Sequence, residues 1–398
     1  SNVTNMSRMF QESNFNQPLN DWDVSNVTDT SSMLRNVTSF NQPLNNWDVS
    51  NVTDMSSMFW NANSFNQPLN DWDVSNVTDM SSMFAFSVFN QQLHNWDVSN
   101  VINMIGMFKD CDFNQPLNSW NVSNVTSMAV MFYYSDFNQP LDNWDVSNVN
   151  DMIGMFQDSN FNQPINNWNV SNVTDMTEMF RDANFNQPLD NWDVSNVIDM
   201  EDMFRNSDFN QPLNNWDVSD VIFMDGMFRN SGYNQSLNNW DVSNVTNMVS
   251  MFENSNFNQP LNDWDVSNVI NFDSMFRDSN FNQDLSSWTF TTSDLGDFIT
   301  YSAMDSQNYD LLLGRFVQLG LENGDLHAFG LAYCDVFTRQ NLEDDLNWDI
   351  NYDTLADDCN TNYIAGKVRL DEDNNGCDSN DDTLSQLTIN TNDGQNDL

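Results

Sequence analysis

The most compact set of metal-ligating side chains lies close to the end of the sequence. Asp371-x-Asp373-x-Asn375-Gly376, with Asp382 at the twelfth position, has the spacing of a calcium loop. In such a loop alternating oxygens wrap a hard cation and the glycine allows the tight turn. Asp378 and Asp381 add oxygens to the same stretch. Asp stands where these loops usually end in Glu, and the flanking segments read as strands rather than helices. An acidic, solvated linker is therefore the alternative to a structural calcium ion.

A second group repeats along the chain. The residue after a regularly spaced tryptophan is Asp23, Asp48, Asp73, Asp97, Asp145, Asp193, Asp217, Asp241 or Asp265, with Asn121 and Asn169 interrupting the row. Flanked by two apolar residues, this side chain must point away from the core. Units stacked at the ~4.8 Å spacing of paired strands would align these carboxylates, each neighbouring pair repelling by roughly 1 kcal/mol in water. The row reads either as a polar face for cations or a sugar-like ligand, or as a solvated face that keeps copies apart. The second is preferred, because it requires no ligand.

No catalytic constellation emerges. The only histidines, His94 and His327, stand apart, and the recurring serines have no placed base. Carboxylates are too abundant for any pair to single out glycosidase chemistry, and no enzyme activity is expected. Arg35, Lys109, Arg181, Arg205, Arg229 and Arg277 share the slot after Met-Phe or Met-Leu, with Asp110, Asp182 and Asp278 directly following. That pattern gives local ion pairs of small value, or a surface for side-to-side association.

The elements that hold these residues are set by a period. Trp22, Trp47 and Trp72 lie 25 apart, and nine further tryptophans from Trp96 to Trp288 follow at 24. A period of this length implies stacked repeats whose units bury their apolar faces against each other. Leu69, Trp72 and Val74 fit the strand frame of a leucine-rich repeat, Val77 turns inward, and Met80, Met83 and Phe84 have the i, i+3, i+4 spacing of one helical turn. Thr78 or Asp79 would cap that turn. The expected fold is an α/β repeat solenoid, a right-handed coil with one short parallel strand and one helical turn per unit. The amides of the recurring Phe-Asn-Gln, from Asn16 to Asn282, are expected to hydrogen-bond the next coil. Sequons such as those at Asn26, Asn51 and Asn76 fall inside the repeat turn, which disfavours glycosylation there.

The W-D-V-S-N-V-T-x-M-x-x-M-F and F-N-Q-x-L motifs resemble the bacterial surface-protein repeat of BspA-like leucine-rich-repeat proteins. The resemblance covers residues 1–290 and implies a secreted or surface-anchored protein implicated in adhesion. Asn308-Tyr309-Asp310-Leu311-Leu312, Tyr333-Cys334, Arg339-Gln340 and Trp348-Asp349-Ile350 resemble the cap that follows such repeats in Bacteroidota-type surface proteins, placing a cap at 291–360. Leu311, Leu312, Phe316 and Leu319 have the spacing to cover the last coil, and Cys334 with Cys359 is expected to staple the cap, two free thiols being the alternative. Cys111 reads as a lone thiol. Residues 361–398 resemble the start of a β-sandwich module of the calcium-binding B-type or transthyretin-like kind. Because Ser1 begins partway through a unit, further repeats or a cap are expected upstream, and export by the type IX route is implied by resemblance alone.

Composition narrows the partners. Eleven Lys or Arg against 58 Asp or Glu give a net charge of −47, which disfavours nucleic acid and anionic membrane surfaces. No stretch of 18 apolar residues exists, so no membrane span is expected. The functional expectation is an extracellular, cell-surface adhesin or rigid display scaffold whose partner is a surface component such as a repetitive glycan. A stalk or self-associating filament subunit without its own ligand is the alternative.

Overall fold

The structure, a computed structural model, describes residues 2–357 and Cys359. The candidate calcium residues Asp371, Asp373, Asn375, Asp378 and Asp382, and the β module at 361–398, lie outside the described residues. The period builds a repeat solenoid of twelve coils, each carrying one of the tryptophans from Trp22 to Trp288.

Two sides of each coil are knit to the next by different means. On one side the main chain does it. Met80, Ser82, Phe84 and Phe86 donate their N–H groups to the carbonyls of Asn103, Ile105, Met107 and Lys109 one coil on, at 3.0, 2.8, 3.0 and 2.7 Å. Parallel bridges such as Asp54↔Asp79 and Asp79↔Asn103 begin this ladder and recur up to Asn247↔Asn271. Because these alternate N–H groups point to a neighbouring coil, they cannot close the i→i−4 bonds of a helix. The helical turn expected at Met80–Phe84 is therefore a chain of tight turns, with Met83 donating to Met80 at 3.2 Å and Ala85 to Ser82 at 3.2 Å. Ser82 and Phe86 take left-handed backbone angles (φ 54° and 58°). Asp79 does cap the segment, its Oδ1 accepting the Ser81 N–H at 2.8 Å.

On the other side, side chains make the cross-links. The strand expected at Leu69–Val74 does not form; local turns run from Trp72 N–H to the Leu69 carbonyl and from Val77 N–H to the Val74 carbonyl, at 3.1 and 2.9 Å. The indole N–H of Trp96 reaches back to the Leu69 carbonyl at 2.8 Å, and Asn100 Nδ2 reaches the Ser75 carbonyl at 2.7 Å. These side chains bond the Leu69 and Ser75 carbonyls, joining the coils where no main-chain ladder forms.

Between the two sides lies one continuous core. Tryptophans of successive coils stack with centroids 6.3 Å apart at Trp47–Trp72 and 6.5 Å at Trp168–Trp192. Two phenylalanine stacks run beside them, as in Phe84–Phe108 at 5.8 Å and Phe89–Phe113 at 6.3 Å, joined within a coil by Phe84–Phe89 at 4.0 Å. The methionines fill the remaining space, Met80 and Met83 being fully buried. Coils of 25 residues place their extra residue in the loop between the two phenylalanine stacks, where Phe59 and Phe65 still meet at 4.2 Å. The stacks therefore keep their register through both unit lengths.

The C-terminal region extends the coil geometry and adds helices to it. Helix α1 (Ser306–Leu319) starts at Asp305, whose side chain accepts from Asn308 N–H, and ends at Gly320 in the left-handed region (φ 63°). It buries Tyr309, Leu312, Leu313 and Phe316 over the end of the solenoid, where Phe316 meets Phe290 and Trp348. Leu311, expected on that face, is 39% exposed, and Leu313 takes its place. Short strands β1 (Asp325–His327) and β3 (Asp349–Asn351) pair in parallel, as do β2 (Ala332–Tyr333) and β4 (Thr354–Leu355), with α2 (Val336–Asp344) between them in sequence. The Asp294↔Asp325 bridge continues the main-chain ladder into this region. Trp348 donates its indole N–H to the Leu321 carbonyl at 2.6 Å, repeating the tryptophan–leucine bond of the coils at their 27-residue separation. Cys334 and Cys359 are joined as a disulfide with Cα atoms 5.5 Å apart. No helix among the described residues is long and apolar enough to cross a membrane.

Candidate functional site

Asp23, Asp48, Asp73, Asp97, Asp145, Asp193, Asp217, Asp241 and Asp265 are all exposed. Each turns an oxygen onto its own chain: Asp73 Oδ1 accepts the Ser75 N–H at 3.1 Å and the Ser75 hydroxyl at 2.6 Å. The serine bonds hold the carboxyls of Asp97, Asp145, Asp193 and Asp241 below their usual range. Asn169 makes the same pair of bonds to Ser171 at 3.2 and 2.7 Å, and Asn121 accepts Ser123 N–H at 3.2 Å. The slot therefore needs an oxygen acceptor for a turn, not a charge, which explains why asparagine interrupts the row at no structural cost.

Two amide ladders run parallel to this row. Asn138 Oδ1 accepts both the backbone N–H of Asn162 and Nε2 of Gln163, at 2.9 and 3.0 Å. The pattern repeats along the rod until Asn282 Oδ1 receives Asp305 N–H and Asn308 Nδ2, at 2.9 and 2.8 Å, handing the ladder to α1. In the second ladder Asn51 and Asn76 of the sequons commit Nδ2 to the carbonyls of Ser25 and Ser50, at 2.8 and 2.7 Å. Those nitrogens are engaged between coils.

The edge of the solenoid formed by the left-handed turns differs from coil to coil. Toward the C-terminal end it carries ion pairs: Arg205 with Asp202 at 2.8 Å, Arg229 with Glu253 of the next coil at 2.9 Å, Arg277 with Asp297 at 3.0 Å, and Arg181 with Glu178. Toward the N-terminal end it carries aromatic rings and cations. The Arg35 guanidinium lies 4.2 Å from the Trp60 ring centroid, Trp60 meets Phe86 edge-on at 5.2 Å, and Lys109 Nζ lies 4.5 Å from the Tyr133 ring. A hollow of about 310 Å³ beside Tyr134 is lined by Asp110, Asp112, Asp136 and Asp158. Sequence spacing located the cations of this edge but not the rings among them, although Trp60 and Tyr133 occupy the same slot as Arg35 and Lys109, with Phe86 and Tyr134 in the slot that follows.

One half-buried and one buried group give testable chemistry. Asp225 is half-buried, with Oδ1 unpartnered, and burial together with Glu201, Asp199 and Asp202 pushes its carboxyl up to about 6. A folded pKa above the ordinary 3.8 means the native state takes up the proton more readily than the unfolded chain does. The resulting penalty is present above pH ~6 and disappears as pH falls to ~4. Asp225→Asn should therefore raise stability by about 1–2 kcal/mol at pH 7.5, after allowing for solvent screening, and change little at pH 4. Urea unfolding at the two pH values checks this. Cys111 is a buried free thiol contacting Ser87 Oγ and the Phe89 carbonyl at 3.4 Å each, and burial pushes its pKa up to about 12. It should resist iodoacetamide at pH 8 in the folded chain and label fully in urea, as read by mass spectrometry.

No group of three or more histidine, cysteine or acidic side chains arranged to hold a metal occurs among the described residues. No curated protein and no solved structure matches the chain. One family model matches four overlapping segments, residues 1–88, 71–160, 134–232 and 208–309, which together span the twelve coils. With most of its length matched, the chain belongs to the family described as Mycoplasma protein of unknown function, DUF285.

Proposed function

We propose that the protein is a non-catalytic, extracellular surface protein of BspA-like leucine-rich-repeat type, acting as an adhesin or rigid display scaffold for a repetitive polymer such as glycan. The observation that carries this reading is the unbroken core beneath repeated outward faces: the coils from Trp22 to Trp264 present the same turn-capping oxygen, beside an Asn-Gln row that runs from coil to coil. A linear polymer with its own short repeat can meet such a surface at many equivalent places, so weak contacts add through avidity. The net charge of −47 supports an uncharged or cationic partner over a polyanion.

The test is retention of the chain on immobilised neutral polysaccharides, with monosaccharide of the same sugar as competitor. Retention that resists the monosaccharide but yields to soluble polymer supports the reading. Passage through every matrix would leave a ligand-free stalk. The acidic loop Asp371, Asp373, Asn375, Asp378 and Asp382 is proposed, on its spacing alone, to take one structural calcium ion. Calorimetric titration should find about one site, lost on Asp371→Ala with Asp373→Ala; unchanged binding in that variant would assign the ion elsewhere.

A further inference from the structure

One part of the solenoid edge breaks with the acidic character of the molecule. Over five successive coils two adjacent slots of this edge carry Arg35, Trp60, Phe86, Lys109, Tyr133 and Tyr134, interspersed with Asn36, Asn61 and the exposed Asp110, while Ala85 is buried. Tyr134 is 62% exposed, and Arg35 and Lys109 sit against the rings of Trp60 and Tyr133. Further along, the same edge returns to carboxylate–arginine pairs. Two cations and four aromatic rings lie along this stretch of a chain of net charge −47; a second aromatic group, Tyr301, Phe329 and Tyr352, follows in the C-terminal region.

We propose that this strip is the seat of a neutral polysaccharide chain lying along the solenoid axis. The proposal rests on the polymer-binding reading above and adds to the repeated faces one irregular stretch where the polymer is held most firmly. Ring faces and edges take the C–H surfaces of sugars, while guanidinium, ammonium and phenol groups hydrogen-bond their hydroxyls. The acid-lined hollow beside Tyr134 adds acceptors at one end of the strip. Coils advance by ~4.8 Å, close to the length of one pyranose ring in an extended chain, so each coil can offer one side chain per sugar. Stacking of Arg35 on Trp60 and of Lys109 on Tyr133 orders these long side chains before a ligand arrives, which lowers the entropic cost of binding. Charge selects the ligand class. A polyanion or a second copy of this chain would approach against the field of the whole molecule.

The experiment is a depletion assay of the full chain on insoluble cellulose, mannan and xylan. It compares the natural sequence with Trp60→Ala/Tyr134→Ala, with Tyr134→Ala alone, and with Asp344→Asn at an exposed position of α2. Melting curves accompany each variant, and the Tyr134→Ala variant, altered at an exposed ring, guards against misfolding. The expected result is binding to at least one polysaccharide, weakened about tenfold or more by the double ring substitution and less by the single one, with the aspartate variant unchanged. Undiminished binding by both ring variants would overturn the strip while leaving the polymer reading intact. Absence of binding by the natural sequence would overturn both. Concentration-dependent dimers in sedimentation that vanish with the ring substitutions would assign the strip to a second copy and overturn the glycan.

Discussion

Trp168→Ala, in the middle of the rod, should lower stability by about 3–5 kcal/mol and divide unfolding into two separable steps. Trp168 is 2% exposed, its ring lies between Trp144 and Trp192 at 6.4 and 6.5 Å, and its indole N–H meets the Leu141 carbonyl at 3.0 Å. Removing the side chain leaves a cavity in a core whose units contact only their neighbours, so the damage stays at one coil and weakens the coupling across it. The two sides of the gap then unfold at different denaturant concentrations. Trp168→Phe separates the contributions: it keeps a ring in the stack and loses the indole hydrogen bond, at about 1–3 kcal/mol. Calorimetry and urea unfolding monitored by fluorescence and circular dichroism check both. A single sharp transition in Trp168→Ala would mean that the rod unfolds as one body.

The second large effect lies beneath α2. Arg339 is 7% exposed; its Nε and Nη2 donate to the two oxygens of Asp353 at 2.7 and 3.0 Å, and Nη2 also donates to the Ile350 carbonyl at 2.9 Å. Asp353 receives the hydroxyl of Tyr309 from α1 at 3.0 Å, so one buried carboxylate ties both helices to the chain after β3. Arg339→Ala leaves Asp353 as an uncompensated buried charge and should cost about 3–5 kcal/mol in the unfolding of the C-terminal region, whereas Asp353→Ala should cost less because Arg339 keeps Glu343 at 2.8 Å. The double substitution Arg339→Met/Asp353→Leu should cost much less than the two singles combined, because it removes both charges together. A double-mutant cycle by urea unfolding checks this, and equal, additive losses would mean that packing rather than charge dominates the site.

The parts of the fold that were legible in the sequence are those fixed by spacing alone. The tryptophan and phenylalanine stacks, the buried methionines and the Asn-Gln ladder follow from residues that recur at one period and must meet their copies. The local backbone was less legible. Met80, Met83 and Phe84 face one way in a helical turn and equally in the tight turns that form, and Asp73 points outward between Trp72 and Val74 in either a strand or a capped turn. What separates these alternatives is where the N–H groups go, and that depends on the neighbouring coil. Left-handed positions were only partly marked: Gly106, Gly154 and Gly226 occupy one of the two slots, but Ser82 and Val130 fill the same slot in other coils, and Phe86 and Tyr134 fill the second. For the aspartate row, outward direction was readable, whereas its use as an acceptor for the following serine required the geometry.

The interchangeable joints between coils bear on how such a molecule can change over generations. Each coil offers its successor the same set of donors and acceptors, and an extra residue in the loop between the phenylalanine stacks leaves both stacks aligned. A whole unit can then be lost or duplicated at the near-identical stretches such as Phe65–Val77 and Phe257–Val269 with the main-chain ladder and the aromatic stacks re-formed, at the cost of coil-specific pairs such as Arg229 with Glu253. Length becomes an inheritable dial, adjustable in steps of one coil by slippage between like stretches of the gene. The irregular residues of the edge travel with their coils, so the same event that lengthens the rod also edits the order of side chains it displays.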